Sequence, residues 1–387
     1  MEKETGQNSI RSKQFNRGLI FQMIATGSCR TRIELARQTG LAKTTVGNII
    51  TEFMDKNVVE ECEEEQTQVC GRNPILLKVS AKAPKIIGLL ILRSRVEAVL
   101  CSMTMEILRT EQIRFPGRLT GELLIQYACE AVARIYRQET NVTGIGVSAI
   151  GPVDIKNGVI LNPPRFHGVN HVRIVEALRE QFPLPVYMEH DNSCAALAEK
   201  LFGVGKAEED FLFLGISDGI GSGLISGGKL FRNSRGLATE LGHVSIHCQG
   251  PPCSCGNQGC LEMYASTGLI LDKLRTATGL ELSYEEYFRL PDCRAAREIL
   301  EEMIQHIAAA LVSVINMLHP ELLVLGHDCM DWDDASVALL EQIVNEKRIA
   351  QDGRRIPVKK AYFGRQSQLV GAAAIVVSRI FSGELQL

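Results

Sequence analysis

The residues most suited to chemistry lie in one short segment, ELGHVSIHCQGPPCSCGNQGC at 240–260. Within it, Cys253, Cys255 and Cys260 form a C-x-C-x4-C pattern, preceded by His243 and His247. Three thiolates from one tight loop, with Gly256 and Gly259 to bend the backbone, suit a tetrahedral soft-metal site. One imidazole completes a closed Cys3His set, which leaves no position for water and is therefore structural zinc (Zn2+). Spacing alone does not choose between His243 and His247. The competing readings are a redox pair or buried thiols.

A site of this kind needs elements to hold it. At 387 residues, with 45% hydrophobic and 22% charged, the chain has the length for two or three domains and an ordinary globular composition. A net charge of -3 calls for neither a nucleic acid nor a membrane through any global field. The N-terminal MEKETGQNSIRSKQF lacks the apolar run of a secretory signal, and no stretch reaches the roughly 18 unbroken apolar residues of a membrane span. The expected location is the cytoplasm, with no membrane partner. Twelve cysteines there do not make a disulfide framework, and Cys101, Cys129 and Cys194 read as small buried hydrophobes.

Residues 1–80 differ from the rest. RGLIFQMIAT has helical apolar spacing, and Thr31 three residues ahead of Glu34 forms a capping box for a short helix that Gly40 stops. A second helix, about Ala42 to Asp55, places Val46, Ile49, Ile50 and Phe53 on one face. Two strands within NVVEECEEEQTQVCGRNPILLKVS complete a winged helix-turn-helix pattern. Residues 1–50 carry eight Lys/Arg against three acids, a local excess that phosphate contacts require. Lys43, Thr44, Thr45 and Asn48 lie where base edges are read. Arg32 and Arg37 add positive charge, and Arg72 suits a minor groove. The acidic run Glu60, Glu61, Glu63, Glu64 and Glu65 is read as a solvated wing facing away from DNA.

From residue 85 strands alternate with helices. KIIGLLIL, VEAVLCSM and EILRTEQIRF read as consecutive strands, ELLIQYACEAVARIYRQ as an amphipathic helix, and PVYMEHDNSCAALAEKLFG as a strand breaking into a helix near Asp191. The texture predicts an α/β protein with two lobes and a cleft. The expected boundaries are 81–200 for a first lobe, with 370–387 returning to it, and 201–369 for a second lobe carrying the cysteine loop.

The motifs GIGVSAIGPVD, VYMEHDNSCAALAE, ATELGHVSIHCQGPPCSCGNQGCLEMYAS and PELLVLG resemble, in this order, those of the ROK family (repressors, open reading frames and kinases). With RIELARQTGLAKTTVGNIITEFMDKNVVEE ahead of them, the chain is similar to the repressor branch. The resemblance implies a winged helix followed by two lobes of the actin-like sugar kinase type. It selects His243 as the fourth metal ligand. It also implies a sugar pocket built from His190, Asp191, Glu240, His243 and Glu262, with backbone near Gly151. His190 stands where most relatives have asparagine, and Asp191 at the general-base position of the kinases.

Other kinase positions are altered. By the same resemblance Leu90, Leu92 and Ser94 replace an acid, a glycine and a threonine in the first phosphate turn. Asp218 replaces a threonine in the second, and His327 a glycine further on. An anion about 4 Å from a phosphate costs on the order of 4 kcal/mol at an effective dielectric near 20, so phosphoryl transfer is not expected. The glycines of GIGSGLISGG are read as hairpin geometry. The expectation is a sugar-responsive repressor that binds operator DNA as a homodimer or homotetramer. A sugar kinase with an appended regulatory domain is the rival.

Overall fold

The structure is a computed structural model that describes residues 9–63, 75–139, 141–233, 236–290, 293–351 and 353–387. The chain opens with three helices, α1 (Ser9–Ala25), α2 (Arg32–Thr39) and α3 (Lys43–Asp55), and an antiparallel pair, β1 (Val59–Glu63) and β2 (Ile75–Val79). Local chemistry sets these boundaries. The Thr31 hydroxyl accepts from Glu34 N–H, the Glu34 carboxylate accepts from Thr31 N–H, and Gly40 ends α2 at φ +69°. Ala42 opens α3 without a side-chain cap. Arg72, Glu64 and Glu65 lie outside the described residues.

A five-stranded sheet follows. It contains β3 (Lys85–Ile91), β4 (Arg95–Cys101), β5 (Ile107–Arg114), then after α4 (Gly121–Tyr136) the strand β6 (Val142–Ala149). A small hairpin, β7 (Val153–Asp154) with β8 (Val159–Ile160), and α5 (Ile174–Gln181) lead to β9 (Val186–His190) and then α6 (Asp191–Phe202). A second five-stranded sheet holds β10 (Phe211–Ile216), β11 (Ile220–Ser226) and β12 (Lys229–Leu230). The helices α7 (Glu262–Ala265), α8 (Thr267–Thr278), α9 (Tyr284–Phe288) and α10 (Arg294–Leu318) precede β13 (Leu322–His327). Last come α11 (Asp334–Lys347), β14 (Val358–Lys360) and α12 (Ser367–Phe381).

The strand orders are β5-β4-β3-β6-β9 and β12-β11-β10-β13-β14. Each is the same plan: an antiparallel meander, then two parallel strands reached through helices. The carboxyl ends of β3, β6, β9, β10 and β13 therefore lead into turns at one cleft, where open α/β sheets place ligands.

Small residues make the central packing possible. A Cβ on Gly146 would sit 1.8 Å from Ala372 O, and one on Gly371 would sit 2.3 Å from Cys194 O, so α12 lies tight against β6 and α6. The stretch GIGSGLISGG does lie in hairpins, β10 with β11 and β11 with β12, and the glycines at 221 and 223 have a packing role as well. A Cβ on Gly221 would sit 2.2 Å from Asn192 Nδ2, and one on Gly223 would sit 2.3 Å from Asn192 O. These glycines admit α6 against β11, and only Gly227 and Gly228, at φ +56° and +71°, shape the β11–β12 hairpin.

The N-terminal helices share a core with the first sheet. Phe21 of α1 is fully buried, its ring 5.8 Å from Phe53 of α3 and 5.9 Å from Phe381 of α12. Gly18 permits the approach, since a Cβ there would meet Phe381 O at 2.3 Å. Arg17 bridges α1 to Glu52 of α3 at 2.8 Å. Phe21→Ala is expected to cost about 3–5 kcal/mol, read as an earlier first transition in urea.

Candidate functional site

The cleft between the two sheets encloses about 410 Å3, within the range that accommodates small polar ligands. Gly151, His190, Asp191, Glu240, His243 and Glu262 all line it. Each arrives by a different route. Gly151 follows β6, His190 ends β9, Asp191 opens α6, Glu240 and His243 flank a short 3-10 turn, and Glu262 opens α7. A Cβ on Gly151 would lie 2.6 Å from the His190 ring and 3.5 Å from Glu240 Oε1, so the bare backbone there makes room for both.

Asp191 is buried and heavily engaged. Its Oδ1 accepts from Asn192 N–H at 2.6 Å and Asn192 Nδ2 at 2.8 Å, with His190 Nδ1 at 3.3 Å. Its Oδ2 accepts from Gln368 Nε2 at 2.8 Å. Glu262 is also buried, with Oε1 paired to Arg165 Nη2 at 2.7 Å and Oε2 accepting from Ile220 N–H at 3.2 Å. Glu189, only 1% exposed, pairs with Arg232 at 2.5 Å behind the cleft. Glu240 is open to solvent but hemmed in by the cleft walls. That desolvation raises its carboxyl above the usual range, and His190 and His243 draw it partly back.

At one wall the candidate metal ligands converge. The donor atoms of His243, Cys253, Cys255 and Cys260 all lie within 4.8 Å of one another. Cys253 Sγ is 3.6 Å from His243 Nδ1, and Cys255 Sγ is 3.7 Å from Cys260 Sγ. The loop is a miniature ribbon, with Ile246 N–H to Gly259 O at 2.9 Å and Cys253 N–H to Asn257 O at 2.8 Å. Gly256 and Gly259 adopt φ +92° and +67° there. His247 and Cys248, although in the same segment, are exposed and outside the cluster. Three thiols and an imidazole in this spacing are the donor set of a tetrahedral soft-metal site. Because Nδ1 faces the thiols and His243 also lines the cleft, the opposite ring edge is free for a ligand contact.

Beyond Asp191 a second cavity of about 480 Å3 continues past Leu90, Leu92, Arg93, Asp218 and His327. Arg365 lines it too and pairs with Asp328 at 2.6 Å and with Asp331. Asp218 is exposed, so solvent screening reduces the repulsion expected of it. His327 is held at φ +57°, and burial lowers its pKa.

On the N-terminal unit, Arg37, Lys43, Thr44 and Asn48 are exposed and Thr45 is half-buried. Thr44, Asn48 and Thr51 form an outward stripe opposite buried Val46, Ile49, Ile50 and Phe53. Arg32 instead pairs with Glu61 of β1. Sequence reasoning missed Arg165, Gln368, Asn192 and Arg365, whose partners at the cleft are mostly far away in the chain. Thr51 was legible from its helical spacing.

A family model described as the ROK family matches residues 86–379. The chain belongs to the ROK family. Its mixed α/β fold is the ROK sugar-kinase-like fold. A xylose repressor of Bacillus spizizenii is 25% identical over 370 residues, covering 94% of this chain and 95% of the relative. The crystal structure of a ROK family transcriptional regulator, a homologue of the Escherichia coli Mlc protein, superposes with a TM-score of 0.81 at 24% identity, over 96% of this chain and 98% of that one. A ROK glucokinase from Streptomyces griseus, in complex with glucose and AMPPNP, gives 0.67 at 27% identity, with 98% of its length covering 75% of this chain. Among described residues, no helix of this ROK chain is long and apolar enough to cross a membrane.

Proposed function

We propose that this ROK protein is a sugar-responsive transcriptional repressor that binds operator DNA and performs no phosphoryl transfer. Residues 1–80 form the winged helix-turn-helix, 81–200 with 370–387 the first lobe, and 201–369 the second. The length of the match to repressors supports this, because the glucokinase likeness stops at three quarters of the chain. In this reading α3 enters the major groove with Lys43, Thr44, Thr45 and Asn48, while Arg32, Arg37 and Arg72 meet phosphate or the minor groove. His243, Cys253, Cys255 and Cys260 hold a structural zinc, which fixes the cleft wall. Gly151, His190, Asp191, Glu240, His243 and Glu262 receive the sugar hydroxyls.

The observation that carries the proposal is one helix. At its start, Gln368 of α12 donates to Asp191 in the cleft, and at its end Phe381 packs on Phe21 of α1. Over 15 residues it spans about 22 Å, and the close Gly146 and Gly371 contacts couple it to β6 and α6. A sugar that closes the cleft therefore shifts α12, and α12 carries the N-terminal unit with it. The population shift requires the sugar to bind the two arrangements unequally. In a homodimer that shift changes the spacing of two α3 helices and their fit to a palindromic site.

The kinase reading draws on Asp191 at the general-base position. Against it, Leu90 and Leu92 offer phosphate and Mg2+ no ligand, and the Arg365–Asp328 ion pair lines the second cavity. Titrating promoter DNA with the purified chain distinguishes the two. A sugar is expected to change operator binding several-fold while ATP is neither needed nor consumed. Sugar-dependent ATP hydrolysis, lost in Asp191→Asn, would establish the kinase instead.

A further inference from the structure

The chain passes from the first sheet to the second after α6, through residues 203–210, and returns after β14, through residues 361–366. Both crossings meet one side chain. Glu199, in the last turn of α6, is fully buried. Its Oε2 accepts from Val204 N–H at 3.0 Å and from Tyr362 N–H at 3.1 Å, and its Oε1 accepts from Phe363 N–H at 3.1 Å. The Ser367 hydroxyl lies 3.5 Å from Oε1. Gly203 leaves the space for this, since a Cβ there would sit 2.0 Å from Oε2. A buried carboxylate with this many donors is a strong and directional anchor.

Each crossing is tied to the second sheet. A Cβ on Gly205 would meet the Phe211 ring at 2.4 Å, so the first crossing packs on the start of β10. Ala361 N–H donates to Leu325 O of β13 at 2.8 Å, and Arg365 pairs with Asp328, so the second crossing follows β13. Glu199 itself rides on α6, which begins at Asp191 in the cleft and packs along α12. The first crossing also reaches the N-terminal unit. Lys206 Nζ donates to Thr26 O at 3.1 Å, in the turn between α1 and α2, and Lys200 Nζ steadies the same loop through Glu208 O at 2.8 Å. A brace within one lobe would hold a single neighbour. This carboxylate instead joins the two places where the lobes connect, and element-terminal residues of this kind are where hinges lie.

We propose that Glu199 is the positioning residue of the hinge between the lobes. It makes the loop at 203–206 and the segment at 361–367 move as one when the cleft closes, and Lys206 passes that movement to the N-terminal unit at Thr26. This rests on the chain being a sugar-responsive repressor, and it adds to α12 a second link between cleft and operator. Glu199 lines neither the cleft nor the outward face of α3, so its loss uncouples the two sites without weakening either.

Fluorescence anisotropy with promoter DNA, on the full-length, metal-loaded chain with and without saturating sugar, tests this. The probes are glucose, mannose, galactose, xylose and N-acetylglucosamine, each free and as its terminal monophosphate, and the one with the largest effect on the wild type is used. Calorimetry gives the sugar affinity. In Glu199→Gln the effect of sugar on operator affinity is expected to fall to within about twofold of none. Sugar affinity and sugar-free operator affinity are each expected to stay within about threefold. Hydrogen exchange at the Val204, Tyr362 and Phe363 amides should quicken together, a change that general destabilisation would not confine to these three. Lys206→Ala, at an exposed side chain, is expected to lose the coupling in the same way with those amides still protected. A full sugar effect in Lys206→Ala overturns the proposal, including where Glu199→Gln fails to fold. So does a full effect in Glu199→Gln with its three amides deprotected, or a sugar affinity that falls in step with the coupling. Each of these leaves the repressor reading intact. A wild type whose operator binding answers to none of the probes removes the repressor reading and this inference together.

Discussion

Cys260→Ala is expected to strip the protein of stoichiometric zinc and to weaken effector binding at least a hundredfold. Cys260 is fully buried, and its Sγ lies 3.7 Å from Cys255 Sγ and 3.5 Å from His243 O. Its main chain bridges to Ser245, and Leu261 N–H donates to Val244 O at 2.9 Å. The loop therefore reaches the Glu262 helix through a few short contacts, and a metal held by the four donors would close it. Structural zinc binding in small sites contributes on the order of 10–16 kcal/mol, so the cleft wall formed by His243 and Cys255 has no equivalent support without it. Elemental analysis and sugar titration measure the two effects. Cys248→Ala is the control, since that thiol is exposed and outside the cluster, and it should keep both metal and affinity. A Cys260→Ala protein that retains the metal, or a chelated wild-type protein that binds its effector normally, would contradict the assignment.

What the sequence made legible was local. The Thr31–Glu34 capping box, the Gly40 stop, the break from strand to helix at Asp191 and the C-x-C-x4-C loop each depend on residues a few positions apart, where spacing and geometry are nearly the same thing. The strand runs of both sheets were readable for the same reason. Their identical order was not, because it depends on which strands pair across helices.

The unread part is long-range. Gln368 meets Asp191 across 177 positions and Arg165 meets Glu262 across 97, and no periodicity marks such partners. The glycines at 221 and 223 announced that a side chain was unwelcome without saying what came close. The answer was the backbone and amide of Asn192. Asp218 erred in the other direction. Its charge was visible in the sequence, but its exposure, which decides the strength of that charge, was not.

Reversing charge at the N-terminal unit, with Arg37→Glu and Lys43→Glu together, is expected to reduce operator affinity at least a hundredfold with no change in effector binding. Both side chains are exposed, and Lys43 opens α3, whose outward stripe of Thr44, Asn48 and Thr51 is polar throughout. Each lost phosphate contact also flattens the salt dependence of binding by nearly one in log–log slope. A double reversal removes two contacts and adds two repulsions. Neither residue belongs to the shared core of Phe21, Phe53 and Phe381, so the melting temperature should hold. Arg32→Glu is the informative comparison. Its guanidinium is already paired with Glu61, so its effect should be smaller and partly structural. Fluorescence anisotropy with promoter DNA at several salt concentrations separates these cases. Undiminished operator binding by the double variant would mean that the DNA surface lies elsewhere than α2 and α3, even with the cleft assignment intact.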